Sequence, residues 1–305
     1  MKISIAVVVA SLMILTEACA PVHAQPDGAK LDATKIGAAA GLKATTAPEG
    51  VVRLSWARDD IKVTVDHMPF KPAGGLGSWA AFTATKHGAM VMGDTVVFQD
   101  EVTAAMDAAF ASGLEVTGLH NHFFHDEPRV FFMHISGQGD PEKLADGVKS
   151  VWNAIKNVRL EVPRPSSGFI GKPPGPGTLT AEPLDKILGA KADTQGGVLK
   201  YTIGREGKMH GVKIGGSMGL TTWAAFQGSD KYAAVAGDFI MTANEVQPVL
   251  KALRKGNLHI VALHNHMIGE QPAFYFVHFW GKGPTQDLAR GLAGALEAQK
   301  KAAGH

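Results

Sequence analysis

The chain has one cysteine, Cys19, in 305 residues. A single thiol excludes an intramolecular disulfide and any multi-thiolate metal site. An ion held by this chain must be held by His, Asp, Glu or backbone oxygen. Charge is also sparse: Asp, Glu, Lys and Arg make up 19% of the residues, the net charge is +2, and no run concentrates Lys and Arg. Phosphate backbones are bound by concentrated cationic faces, so nucleic acid is not an expected partner. The longest apolar run, Ile3 to Leu15, has 13 residues. A membrane-spanning helix needs about 20.

That short run has the layout of an export signal. Lys2 precedes it, and Val22-His23-Ala24 before Gln25 fits a small-residue cleavage site. Residues 1–24 are therefore read as a signal peptide, and the mature protein as periplasmic or secreted. Cys19 in "LTEAC" offers the alternative of a lipid anchor, but Leu15 lies one residue too far away and Glu17 is out of place. Membrane attachment is expected only if Cys19 is lipidated.

Beyond the leader the chain is duplicated at an offset of 144 residues. "LGSWAAF" (Leu76 to Phe82) faces "LTTWAAF" (Leu220 to Phe226), and "MGDTVVFQDEV" (Met92 to Val102) faces "AGDFIMTANEV" (Ala236 to Val246). Arg58 aligns roughly with Arg205. Between the copies lies a stretch rich in Pro, Gly and Ser, read as an extended linker over 162–182. Repeat domain 1 is then 25–161 and repeat domain 2 is 183–300.

Within one copy, "VVRLSWA" and "IKVTVDH" alternate like paired strands, and a hairpin is expected to turn near His87-Gly88. A helix follows from Glu101, with Val102, Ala105, Met106 and Ala109 on one face, and stops at Gly113. Strands are expected over about Val116–Phe124 and Arg129–Ser136. A second helix is capped by Asp140, with Pro141 in its first turn. This order predicts an α+β fold of two tandem homologous repeats, each an antiparallel-rich sheet with two main helices. The sequence leaves open whether the repeats share a sheet.

Each copy places three histidines in an apolar hairpin: His120, His122 and His134 in the first, His264, His266 and His278 in the second. Strand alternation puts His120 and His122 on one face. An odd-length loop centred on Glu127 would set His134 directly opposite His120, and one centred on Gln271 would pair His264 with His278. Buried imidazoles need partners, and a divalent metal (zinc or another transition metal) satisfies three at once while leaving a position open. Candidate additional ligands are Asp126 and Glu270, or Asp94 and Asp238. The same groups also fit metal-free acid–base contact with a substrate, or structural hydrogen bonding. Asp94 and Asp238 also fit a turn after glycine. Trp79 and Trp223 fit either a cleft or the core. Glu101 and Glu245 fit a helix first turn, where a carboxylate favours the dipole, and His67, His87, His210 and His259 read as ordinary hydrogen-bonded residues. "GGLG" (Gly74 to Gly77) lacks the Lys-Ser/Thr of a phosphate loop.

"GLGSWAAF", "MVMGD", "LHNH" and "DEPRVFFMH", with the double occurrence of the pattern, resemble the LppY/LpqO family of bacterial exported proteins. The resemblance implies an envelope or secreted protein, lipid-anchored in some members. It implies no particular reaction. Two functional classes follow. One is a metal-binding protein, with metal-dependent hydrolysis of an unknown substrate within its reach. The other is a non-enzymatic envelope protein that binds a small molecule or an envelope component.

Overall fold

The computed structural model describes residues 30–304, so the expected signal peptide and Cys19 lie outside the described residues. The first half contributes strands β1 (Thr45–Thr46), β2 (Val52–Ala57), β3 (Gly77–Thr85), β4 (Gly88–Phe98), β5 (Glu115–His120) and β6 (Val130–Gly139). The second half repeats them as β7 (Asp193–Gln195), β8 (Val198–Gly204), β9 (Thr221–Gly228), β10 (Ala233–Met241), β11 (His259–His264) and β12 (Tyr275–Gly283). All twelve form one antiparallel sheet in the order β1-β2-β3-β4-β6-β5-β11-β12-β10-β9-β8-β7. The second half reads as the mirror order of the first. The halves therefore share a sheet, joined at its centre where Leu119 of β5 pairs with Leu263 of β11.

Each half carries two main helices and a short leading one. These are α1 (Ala33–Ala40), α2 (Val102–Ala111) and α3 (Pro141–Glu161), then α4 (Ala181–Leu188), α5 (Ala243–Lys255) and α6 (Thr285–Ala302). The expected helix signals operate. Asp140 accepts from the Lys143 amide at the start of α3, with Pro141 in the first turn, and Leu144, Val148, Val151, Trp152 and Ile155 are buried along its inner face. The main core joins these residues to Leu54, Phe82, Val91, Leu119 and Ile135 of the sheet and to their second-half counterparts, so the helices cover one face. The opposite face carries two smaller apolar clusters, one per half. One contains Val96, Phe98, Val130 and Phe132, and the other Leu220, Ile240, Phe274 and Phe276.

Several expectations are corrected. "VVRLSWA" and "IKVTVDH" do not pair. The former is β2, and Val63–Val65 joins Met68–Phe70 and Asp126–Glu127 in a separate three-stranded sheet over the first small cluster. The strand expected to reach Phe124 stops at His120, and Phe124 is 82% exposed. The interval 162–180 has no helix or strand, and α4 begins inside the stretch read as linker. This interval is not a free spacer. The Lys282 ammonium donates to the carbonyls of Phe169 (3.1 Å) and Gly171, and Asp230 accepts from the Thr180 amide and hydroxyl.

Glu101 and Glu245 do more than favour a dipole. Both carboxylate oxygens of Glu101 accept from the Arg58 guanidinium (2.7 and 2.8 Å), and the pair is wholly buried. Glu245 closes a capping box with Thr242 and pairs with Arg205, the residue aligned with Arg58.

Candidate metal centre

Backbone register decides which side chains meet. In the first half His134 pairs with Asp94 on one side and Gly118 on the other, and Asp94 pairs in turn with Trp79. In the second half His278 stands between Asp238 and Ala262, and Asp238 pairs with Trp223. A Trp–Asp–His row therefore crosses three adjacent strands in each half, on the face away from the helices.

His120 pairs with Phe132 and His264 with Phe276, not with the histidines. The register is thus shifted by two residues from the expected one. A shift of two preserves the face, because side chains alternate with period two. His120 and His134 become diagonal neighbours on one surface, and their rings meet, with Nε2 to Nε2 at 2.8 Å. Single-residue bulges near Thr117 and Val261 accompany this pairing. His122 lies just past the strand end and stays on the same face because its ring stacks flat on Phe132, at a centroid distance of 3.3 Å. His266 does the same on Phe276 at 3.4 Å. The Phe132 ring thus lies on the histidine face.

The nitrogen atoms of His264, His266 and His278 all come within 4.8 Å of one another, and among the described residues they form the one such set of three. In the first half the ring centroids are spaced nearly alike, His120 lying 5.1 Å from His122 and 5.0 Å from His134, against 5.1 and 4.9 Å in the second. Asp238 completes the second site: its Oδ2 is 3.5 Å from His266 Nε2 and its Oδ1 is 3.9 Å from His278 Nδ1. Asp94 Oδ1 lies 3.9 Å from His134 Nδ1. The Oδ1 atoms of both aspartates are buried and have no hydrogen-bond partner. A buried carboxylate oxygen without a partner costs several kcal/mol. Burial raises the Asp94 and Asp238 carboxyls above their usual range, against the opposing pull of the facing imidazoles. Burial also lowers the imidazoles of His122 and His266, which favours the neutral ring that coordinates metal.

The remaining candidates separate. The carboxylates of Asp126 and Glu270 are bound to the loop backbone, accepting from the amides of Val130 (2.6 Å) and Phe274 (2.8 Å), so they staple the loops. Trp79 and Trp223 are half-buried on the histidine face, under Arg53 and Lys200 respectively. Trp223 and His278 line a cavity of about 720 Å³, and Trp79 does not. Trp280, Phe169 and Lys282 also line it, and the sequence reading passed over all three. The alignment of the copies held a clue to two of them, since Trp280 and Lys282 stand where the first copy has Ser136 and Gln138.

An antiparallel sheet of paired repeats, helices on one face and a His-Asp cluster per repeat on the other, defines the class as a duplicated α+β protein with candidate metal centres. The family model described as Domain of Unknown Function (DUF1259) matches residues 34–154 and again 182–298, and the chain belongs to that family. No curated protein matches it. Among solved structures it is similar to the trimeric bacterial microcompartment shell protein PduB, at 10% identity over 83% of this chain and 88% of that one, with a TM-score of 0.20. It is also similar to the ethanolamine utilization protein EutL from Leptotrichia buccalis, at 12% identity over 82% and 98%, with a TM-score of 0.23. Likeness at that level carries no argument about assembly or activity.

Proposed function

We propose that this is an exported protein that binds a divalent transition metal in each half, through His120, His122, His134 and Asp94, and through His264, His266, His278 and Asp238. The observation that carries the reading is the pair of buried, unpartnered aspartate oxygens aimed at histidine clusters. A cation would satisfy these oxygens and the imidazoles together. The donor set is nitrogen and oxygen, which suits zinc and its first-row neighbours. An ion held by these four donors that also accepted a water as fifth ligand would make that water acidic enough to attack an electrophilic carbon or phosphorus, which is the basis for a hydrolytic role. Export is supported by Lys2, the apolar run after it and the Ala24 cleavage site, and by the motifs shared with the LppY/LpqO proteins. Among the described residues no helix is long and apolar enough to cross a membrane.

Elemental analysis of the purified mature protein tests this reading. About two metal equivalents per chain are expected. His264→Ala should remove one equivalent and His120→Ala the other. Full metal content in the double variant would show that the ion sits elsewhere, and a metal-free wild type after loading would leave the clusters without an ion.

A second reading, ligand binding without catalysis, is favoured by the cavity beside Trp223 and His278. It predicts retention of a small molecule with no turnover, whether or not metal is present.

A further inference from the structure

The two halves differ where the cavity lies, and the difference has a structural origin. Strand β5 stops at His120, as β11 stops at the equivalent His264, so the short strand is common to both halves and the connecting segment makes the difference. Phe131 of β6 and Ile260 of β11 are left facing a slot, and Val102 and Thr103 at the start of α2 also line it. Residues 168–174 cross beside it, held by the two carbonyl bonds to Lys282 and by Phe169 stacking on His259 at a centroid distance of 4.0 Å. Only one segment joins the halves, so only the second half receives this strap.

We propose that the cavity binds a small molecule with a flat, apolar or aromatic body and a single anionic head. A volume of about 720 Å³ lies within the usual range of small-molecule sites. Trp223, Trp280 and Phe169 supply aromatic walls for the body. Lys282 supplies the cation. Among the described residues its ammonium bonds the two strap carbonyls, which use two of its three N–H donors and leave one for an anion. His278 lines the same cavity about 13 Å along β12 from Lys282, so the end of the ligand remote from its anionic head would approach the proposed second metal centre. The approach of that remote end to a metal rests on the preceding metal reading. The fit of the apolar body does not.

The test is a fluorescence titration of the mature full-length protein with 1-anilinonaphthalene-8-sulfonate, an aromatic anion of this class. Metal content is measured on the same samples before and after chelation. One probe per chain is expected. Trp280→Ser and Lys282→Gln, which install the residues found at the equivalent first-half positions, should each weaken binding about tenfold. Phe124→Ser, which removes an exposed apolar side chain of the first half, should leave binding unchanged. Two or more equivalents, loss of binding in Phe124→Ser, or wild-type affinity in both second-half variants would show adsorption to exposed apolar surface and overturn the proposal. One bound probe on a chain that takes up no metal would overturn the metal reading and leave the cavity assignment standing. Metal uptake without probe binding would do the reverse.

Discussion

His259 shows how a single position serves the join between halves. Its Nδ1 lies 2.9 Å from the Thr103 hydroxyl across the repeat boundary, and its ring stacks on Phe169 of the strap. Burial, together with the nearby Arg254 guanidinium, lowers its imidazole from 6.5 to about 4. The unfolded chain therefore takes up a proton near pH 6.5 that the folded chain refuses until about pH 4. Stability from this residue is fully present above pH 6.5 and is lost as pH falls toward 4. After discounting for partial exposure, the loss is about 1–3 kcal/mol. Thermal melts at pH 7 and pH 4.5 should show a smaller drop for His259→Gln than for the wild type. Equal drops would mean that His259 titrates normally.

At the scale of elements, the site depends on how closely β10 approaches its neighbours. A Cβ at Gly237 would overlap the Phe279 ring and the Trp223 carbonyl, whereas at Gly93 the nearest atoms are the Trp79 carbonyl at 2.9 Å and an Ile135 side-chain carbon at 3.0 Å. Gly237 adjoins Asp238, so widening this contact would also displace the aspartate from His278. Gly237→Ala is expected to destabilise the protein by about 1–3 kcal/mol more than Gly93→Ala, as read by denaturant midpoint. Similar midpoints for the two variants would show that Phe279 yields at no cost. The hairpins make a related point. The sequence made the shared face of the three histidines legible through parity alone, but a two-residue register shift leaves parity intact. The actual pairing of His120 with Phe132 was therefore invisible to it.

At the scale of the whole molecule the repeats are not independent domains. Beyond the pairing of Leu119 with Leu263, Arg254 makes a two-pronged bond to Asp107 (2.9 and 3.0 Å), and the Gln247 amide bonds both the N–H and the carbonyl of Val116 (3.2 and 2.8 Å). A shared sheet and these cross-links predict a single calorimetric unfolding transition, with calorimetric and van't Hoff enthalpies equal. Residues 25–161 expressed alone would expose the β5 edge, so they should self-associate on size-exclusion chromatography. A monomeric, folded first half, or two resolved transitions, would show that the halves fold separately.

The sequence by itself determined the duplication, the α+β class, the helix starts at Asp140 and Glu101, and the gathering of three histidines on one face of each hairpin. These follow from local periodicity, capping chemistry and strand parity, which neighbouring residues specify. Only the tertiary structure decided that Asp94 and Asp238, and not Asp126 and Glu270, face the imidazoles, since strand partners far apart in the chain bring them there. It alone joined the two sheets, and it alone made the halves unequal. A single connecting segment can lie across only one of two matching sites, so the duplicated frame acquires its aromatic cavity of about 720 Å³ beside the second cluster, where that segment crosses.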